Sequence, residues 1–382
     1  MNDSYKLLFH DEKGESGNTY IILPSTESPR IILPLSNRNN FRTGLNVHNT
    51  ASPLNRLKSF VLRESFPFIK ILRRNILYGT SKLEQLKNDI QETLKQKRPV
   101  EFSGFYGTES KSRKLTFQVI TSEGNVIAYL KIADNVQARM YIDNERWAND
   151  FLHTLPDLPI HVPETINIFD WNDWRLLLET SVSKHTKKVG YTLTNDITDS
   201  LISIAEKTKV EAALNRYLIT LEENVSKFFN DYRVHPEVLA SIHKSIDNLR
   251  NKSFPLVFSH GDFVPYNIRR GKHTLSVFDL EYAKRQGLPF CDAFHFIYQG
   301  SYQIFKKDAK YIIEHKIKNH TTNRTQLLRY AAALCINADL LSDFFRLYLT
   351  ESLMFDVDNR PHQLIKDNHF LQGLEYLVAH TF

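Results

Sequence analysis

Short runs of Ile, Leu and Tyr at 5–10, 19–23 and 30–35, set between Gly, Ser and Pro, predict three short strands at the start of the chain. The period then changes. Ser52-Pro53 offers an N-cap followed by a proline at the first helical position, and Leu54, Leu57 and Val61 follow at helical spacing. Pro67 ends that helix, and a second short one is expected over 68–77. A third is expected from Ser81, where Glu84 three residues on suggests a capping box and Leu83, Leu86, Ile90 and Leu94 share one face. The polar tail Lys95-Gln96-Lys97-Arg98-Pro99 reads as a boundary.

Past that boundary the pattern is of β type. Phe117-Gln118-Val119-Ile120 and Val126-Ile127-Ala128-Tyr129-Leu130 flank Glu123-Gly124-Asn125, a hairpin signal. A helix is expected across 136–154, then a strand pair around Asp170-Trp171-Asn172-Asp173 that ends in Leu176-Leu177-Leu178-Glu179. After about residue 195 the spacing is helical, apart from two apolar runs, Leu256-Val257-Phe258 and Leu275-Ser276-Val277-Phe278. The expectation is an α+β protein: an N-terminal accessory α/β module over 1–98, a small β-rich lobe over 99–180 and a large, mainly helical lobe over 181–382.

Composition narrows the class. The chain has 382 residues, 42% hydrophobic and 24% charged, enough to build a large core without staples. Its two cysteines, Cys291 and Cys335, exclude a disulfide framework and a four-thiolate metal site, and both are expected as buried free thiols. No stretch approaches the ~20 apolar residues of a membrane-spanning helix. Met1-Asn2-Asp3-Ser4-Tyr5 lacks an export-signal pattern, so a cytoplasmic protein is expected. The net charge is +6, and its distribution matters more than its sum. Between Arg30 and Asn75, nine basic residues (Arg30, Arg38, Arg42, Arg56, Lys58, Arg63, Lys70, Arg73 and Arg74) face one acid, Glu64. That excess over residues 30–75 invites contact with a polyanion, either an anionic acceptor or a membrane surface. A nucleic-acid partner is not expected.

The candidate chemistry lies in Ser259-His260-Gly261-Asp262-Phe263-Val264-Pro265-Tyr266-Asn267, followed by Phe278-Asp279-Leu280-Glu281. Asp262 and Asn267 have the spacing of a phosphotransfer loop, in which the Asp accepts the proton of a substrate hydroxyl and the Asn holds Mg²⁺. Both must share one tight loop, because the nucleophile faces the γ-phosphoryl group while the metal bridges the phosphates behind it. Asp279 closes the next apolar run, where a second metal-binding carboxylate is required, and Glu281 adds an oxygen-ligand candidate. The spacing alone is a weak signal. Its position between two apolar strands, with His-Gly before it and Asp-x-Glu after it, makes it specific.

These residues resemble the aminoglycoside phosphotransferase and choline kinase superfamily, the small-molecule branch of the protein-kinase-like fold. The resemblance implies ATP and Mg²⁺ as cofactors, Asp262 as catalytic base, and Asn267 and Asp279 as metal ligands. It implies a structural role for His260. Asp292, in Gly287-Leu288-Pro289-Phe290-Cys291-Asp292, matches the acid that braces the loops in that family. The small lobe of such a fold supplies a lysine for the α- and β-phosphates and a helical glutamate to orient it. Lys131, ending an apolar strand, and Glu145, on the next helix, are the candidates. Ser103 to Ser110 is the expected phosphate-covering loop, and Leu178, Glu179 and Thr180 the expected interlobe hinge beside adenine.

Two other readings compete. A protein Ser/Thr kinase is disfavoured because Asp279-Leu280-Glu281 replaces Asp-Phe-Gly, no Ala-Pro-Glu follows, and the connection to Asp292 is short for an activation segment. An inactive binding scaffold is disfavoured because Lys131, Asp262, Asn267 and Asp279 are all present. The acceptor is expected to be a small molecule, with a sugar or glycan hydroxyl preferred.

Overall fold

The computed structural model describes residues 3–10, 18–25, 29–45, 75–107, 109–182, 186–211, 214–232, 234–319, 321–360 and 365–380. The expected helix over 52–66, the first part of the one expected over 68–77, and six of the nine basic residues between 30 and 75 lie outside them. The end of that second helix is corrected, because Ile76 and Leu77 pair as a strand with Ile21 and Tyr20. Contacts divide the chain into two compact units: Met1–Arg146 with Pro163–Ser181, and Trp147–Val162 with Val182–Phe382.

The chain begins with α1 (Asp3–Leu8), β1 (Phe9–His10), β2 (Thr19–Pro24), β3 (Pro29–Pro34), α2 (Arg38–Gly44), β4 (Ile76–Gly79) and α3 (Ser81–Thr93). It continues through β5 (Val100–Tyr106), β6 (Leu115–Thr121), β7 (Val126–Ala133), α4 (Val136–His153), β8 (Ile160–His161), β9 (Thr165–Trp171) and β10 (Trp174–Thr180). In the first unit nine of these strands make one antiparallel sheet, ordered β1-β4-β2-β3-β5-β6-β7-β10-β9.

Residue 98, expected to close a separate module, falls inside this unit. β3 pairs directly with β5 through Ile31–Phe105 and Ile32–Gly104, so the N-terminal strands extend the same sheet. Gly104 suits a place between two strands, because a Cβ there would stand 3.3 Å from Ile32 Cβ on β3 and 2.8 Å from the Phe117 ring on β6. A buried polar cluster ties the segments further: Tyr20 donates to Glu101 at 2.6 Å, and Lys87 lies 2.7 Å from the same oxygen.

Alternation along the strands sorts the side chains. One face carries Tyr20, Ile22, Ile32, Phe102, Phe117, Leu130, Ile132 and Leu178, packed with Leu83, Leu86 and Ile90 of α3. On the other face, Ile21 and Leu33 pack with Phe41 of α2, and Ala133 and Leu177 pack with Ala138 and Ile142 of α4. Lys131, between Leu130 and Ile132, therefore points to the α4 side.

Two expectations, the strand over 5–10 and the cap of the helix from Ser81, are corrected. Residues 5–8 are helical, because Thr80 fastens α1 to the start of α3 by donating its hydroxyl to Leu7 O and its N–H to Leu8 O. An apolar run this short does not fix its own period. The cap of α3 is Thr80 rather than Ser81, its hydroxyl accepting from Leu83 N at 3.2 Å, so Glu84 is not placed for a capping box.

The second unit adds β11 (Lys187–Lys188), α5 (Asn195–Thr208), α6 (Leu214–Tyr232), α7 (Pro236–Arg250), β12 (Val257–Ser259), β13 (Ile268–Arg270), β14 (Leu275–Val277) and β15 (Lys284–Gly287). It closes with α8 (Cys291–Phe305), α9 (Ala309–Ile312), α10 (Thr322–Ala333), α11 (Leu341–Asn359) and α12 (His369–Ala379). A small sheet, β11-β13-β14-β8, and a two-stranded ladder, β12-β15, lie among the helices around one apolar core. Cys291 is half-buried, but Cys335 is exposed, contrary to expectation. The chain leaves α10 there with φ +54°, which takes the thiol off the buried face. No helix among the described residues is long and apolar enough to cross a membrane.

Candidate active site

In the second unit the buried strand β12 delivers the chain to His260 and Gly261, and a 3-10 turn over Pro265–Asn267 leads into β13. The β13–β14 hairpin pairs Ile268 with Val277, and Phe278 N–H donates to Asn267 O at 3.1 Å. Asn267 and Asp279 thus leave the same end of one hairpin, although twelve positions separate them in sequence. Asp279 adopts φ +69°, a conformation that costs a residue with a side chain and that Asp tolerates better than most. Glu281, two residues on, is buried.

Three groups hold Asp262. Asn267 Nδ2 donates to Asp262 Oδ2 at 2.9 Å and to its carbonyl at 3.1 Å, and His295 Nε2 lies 3.0 Å from Oδ1. His260 Nδ1 accepts from Asp262 N–H at 3.2 Å and its Nε2 donates to Phe278 O at 3.1 Å, so both ring nitrogens serve the backbone. Asp292, in the first turn of α8, gathers the loop. Its Oδ1 accepts from Ser259 Oγ at 2.9 Å and Gly261 N at 3.1 Å, and its Oδ2 accepts from His260 N at 2.8 Å.

In the first unit Lys131 of β7 donates to Glu145 of α4 in a short hydrogen bond. Glu179 Oε1 lies 3.2 Å from the same ammonium, and Lys114 Nζ lies 3.6 Å from Glu145 Oε2. All four side chains are at most 8% exposed, so two cations and two anions share a dry site. The strand pairing explains it: Lys131 faces Thr116 on β6 and Leu177 on β10, which brings Lys114 and Glu179 to the same face.

The expected adenine-side residues lie on β10: Leu178 is in the sheet core, Glu179 turns to Lys131, and Thr180 Oγ1 accepts from Glu164 N at 2.9 Å. The expected phosphate-covering loop is corrected. Ser103 to Tyr106 belong to β5, with Ser103 donating to Ile32 O, and the turn begins only at Gly107.

Sequence reasoning missed His295, Tyr348, Tyr266 and Lys114. Tyr348 OH lies 3.3 Å from His295 Nδ1, and Tyr266 donates to Gln303 at 2.6 Å. Burial, then the charges of Asp262 and Asp279, push the Tyr266 phenol well up. His295 had a readable signal: it follows Asp292 by three residues, hence on the same helical face. Tyr348 comes from a helix 53 positions away and had none.

No protein-family model and no curated protein matches the chain. Among solved structures, choline kinase LicA from Streptococcus pneumoniae aligns with a TM-score of 0.50 and 12% identity, over 78% of this chain and 100% of that one. Macrolide 2'-phosphotransferase type I aligns with a TM-score of 0.50 and 11% identity, over 79% and 99%. The fold is kinase-like. Within the kinase-like fold, the loop that carries Asp262 and the hairpin that carries Asn267 and Asp279 stand together, and Lys131 pairs with the helical Glu145.

Proposed function

We propose that the protein is an ATP- and Mg²⁺-dependent phosphotransferase that acts on a hydroxyl of a small molecule. The observation that carries this reading is the constellation around Asp262: a carboxylate oriented by Asn267 and His295, in a loop gathered by Asp292. The acceptor oxygen bonds to the γ-phosphorus, its proton passes to the Asp262 carboxylate, and the bond to the β-phosphate oxygen breaks to release ADP. Lys131, held by Glu145, contacts the α- and β-phosphates.

The donor set suits magnesium, which takes oxygen ligands and is bound through one or two carboxylates plus substrate phosphates. Asn267 uses its amide nitrogen on Asp262, which leaves its oxygen as the candidate cation ligand, with the Asp279 carboxylate as the second candidate and Glu281, two residues on, as a third. Magnesium, when bound, neutralises charge that develops on the phosphates.

A sugar or glycan hydroxyl is the favoured acceptor. The surroundings of Asp262 offer hydrogen-bonding groups, Tyr266 with Gln303 and His295 with Tyr348, that suit hydroxyls. The basic segment 30–75 would draw in an anionic acceptor, and a supply of ATP places the reaction in the cytoplasm.

Calorimetry with ATP and Mg²⁺, followed by an ATP-consumption screen across sugars, amino alcohols and aminoglycosides, tests the reading. Binding that Asp279→Ala severely weakens, with turnover on a sugar, is the expected result. A protein without nucleotide affinity would overturn the assignment.

A further inference from the structure

Asp262 receives a hydrogen bond on each carboxylate oxygen, and only one donor comes from its own loop. The other, His295, projects from α8, where Asp292 one turn earlier gathers the same loop. Behind His295, on α11, Tyr348 places its hydroxyl 3.3 Å from Nδ1, with the two rings edge to face at 5.9 Å.

We propose that His295 is a positioning residue for the base: a neutral imidazole that donates from Nε2 to Asp262 Oδ1, its tautomer set by Tyr348 O–H donating to Nδ1. The role rests on the phosphotransferase reading above and adds to it a named chain of groups, Tyr348 to His295 to Asp262.

The direction of the chain follows from its members. A carboxylate only accepts, so the nitrogen beside it must carry a proton. Tyr348 is 2% exposed, and burial raises its phenol well above the ordinary value, so it stays protonated and can donate. Nδ1 then needs no proton of its own. The charged or titratable groups that face this chain are Asp262, His369 and, at Tyr348, Cys291 and Tyr298.

The consequence is orientation. Donors on both oxygens fix the plane of the carboxylate, while each oxygen keeps a second lone pair for the acceptor's proton. His295 does not take that proton, because its Nε2 already bears one. It keeps the base aimed, and a base misplaced by about 1 Å can cost about 10²-fold in rate.

The test has two arms. Nitrogen-detected NMR of the histidines at neutral pH should show His295 protonated at Nε2 alone, and Tyr348→Phe should disturb that state. An imidazolium or an Nδ1–H tautomer in the wild type overturns the proposal, whatever the reaction is. In the kinetic arm, His295→Leu should lower kcat roughly 10–100-fold, as loss of a supporting hydrogen-bond partner does. The KM for ATP should stay unchanged, because Lys131, Asn267 and Asp279 are untouched. His295→Gln, which can present an N–H at the Nε2 position, should recover most of the loss. A folded His295→Leu protein with wild-type kcat sinks the role, and so does a Gln variant no better than Leu. If the Leu variant does not fold, the comparison of Gln with wild type and the NMR arm still decide. A wild type that binds no ATP overturns the parent reading instead, an outcome distinct from an active enzyme indifferent to His295.

Discussion

Gly261 lies against the backbone of Tyr282: a Cβ on Gly261 would stand 2.3 Å from the Tyr282 carbonyl oxygen. The glycine also has φ +81°, where a side chain costs about 1–2 kcal/mol. Because the clash is with backbone, it cannot be relieved by a rotamer change. Gly261→Ala should therefore lower the denaturation midpoint and, by shifting Asp262, reduce turnover by about 10²-fold. Wild-type turnover in a soluble Gly261→Ala protein would show that the loop has room which the geometry denies.

Asp262→Asn removes the base and keeps its shape. An amide nitrogen at either carboxylate position would face a donor, Asn267 Nδ2 or His295 Nε2. Turnover should fall roughly 10²–10⁴-fold, the usual contribution of a general base. Affinity for ATP, measured by calorimetry, should change only slightly.

The Lys131 cluster offers a way to separate structure from chemistry. Lys131→Met takes from the buried Glu145 and Glu179 the ammonium they share, and breaking a buried pair in this way costs about 3–5 kcal/mol. Adding Glu179→Gln removes one of the stranded charges. The double variant should regain part of the thermal stability lost by the single one but none of the ATP affinity. Strict additivity of the two changes in chemical denaturation would mean that Glu179 and Lys131 do not interact.

His369 should make the protein acid-sensitive. Burial, with the cationic Arg360 nearby, pushes its imidazole down to about 3 from the ordinary 6.5. Between those values the unfolded chain binds a proton that the folded one refuses. Stability is then at its full value above about pH 6.5 and falls by about 1.4 kcal/mol per unit as pH drops toward 3. His369→Gln should flatten that slope in denaturation curves taken from pH 7 down to about 4, with the acid-side gain as the diagnostic sign.

The residues proposed for the site were found together in sequence because they fall in a short stretch. Asp262, Asn267 and Asp279 lie within eighteen residues, and one hairpin gathers them. The partners of Lys131 were half legible. Glu145 follows on the next helix, whereas Lys114 and Glu179 arrive by strand pairing, which periodicity alone does not give. His295 and Tyr348 depend on the packing of α8 against α11, and no local pattern encodes that. The fold class was legible from the switch between β and helical periods. The boundary at residue 98 misled because a charged, proline-ended tail follows any exposed helix, whether or not the next strand joins the same sheet.

The pairing of β3 with β5 has a practical meaning for anyone who would cut the chain. A fragment that begins at residue 99 would bare one side of β5, a row of N–H and C=O groups on a largely buried strand. Such an edge recruits other chains, and protein made this way would aggregate rather than fold. Glu101 would at the same time lose both Tyr20 and Lys87. The N-terminal strands are thus no detachable cargo but the selvedge of the sheet that carries Lys131, and tags or fusions belong outside them.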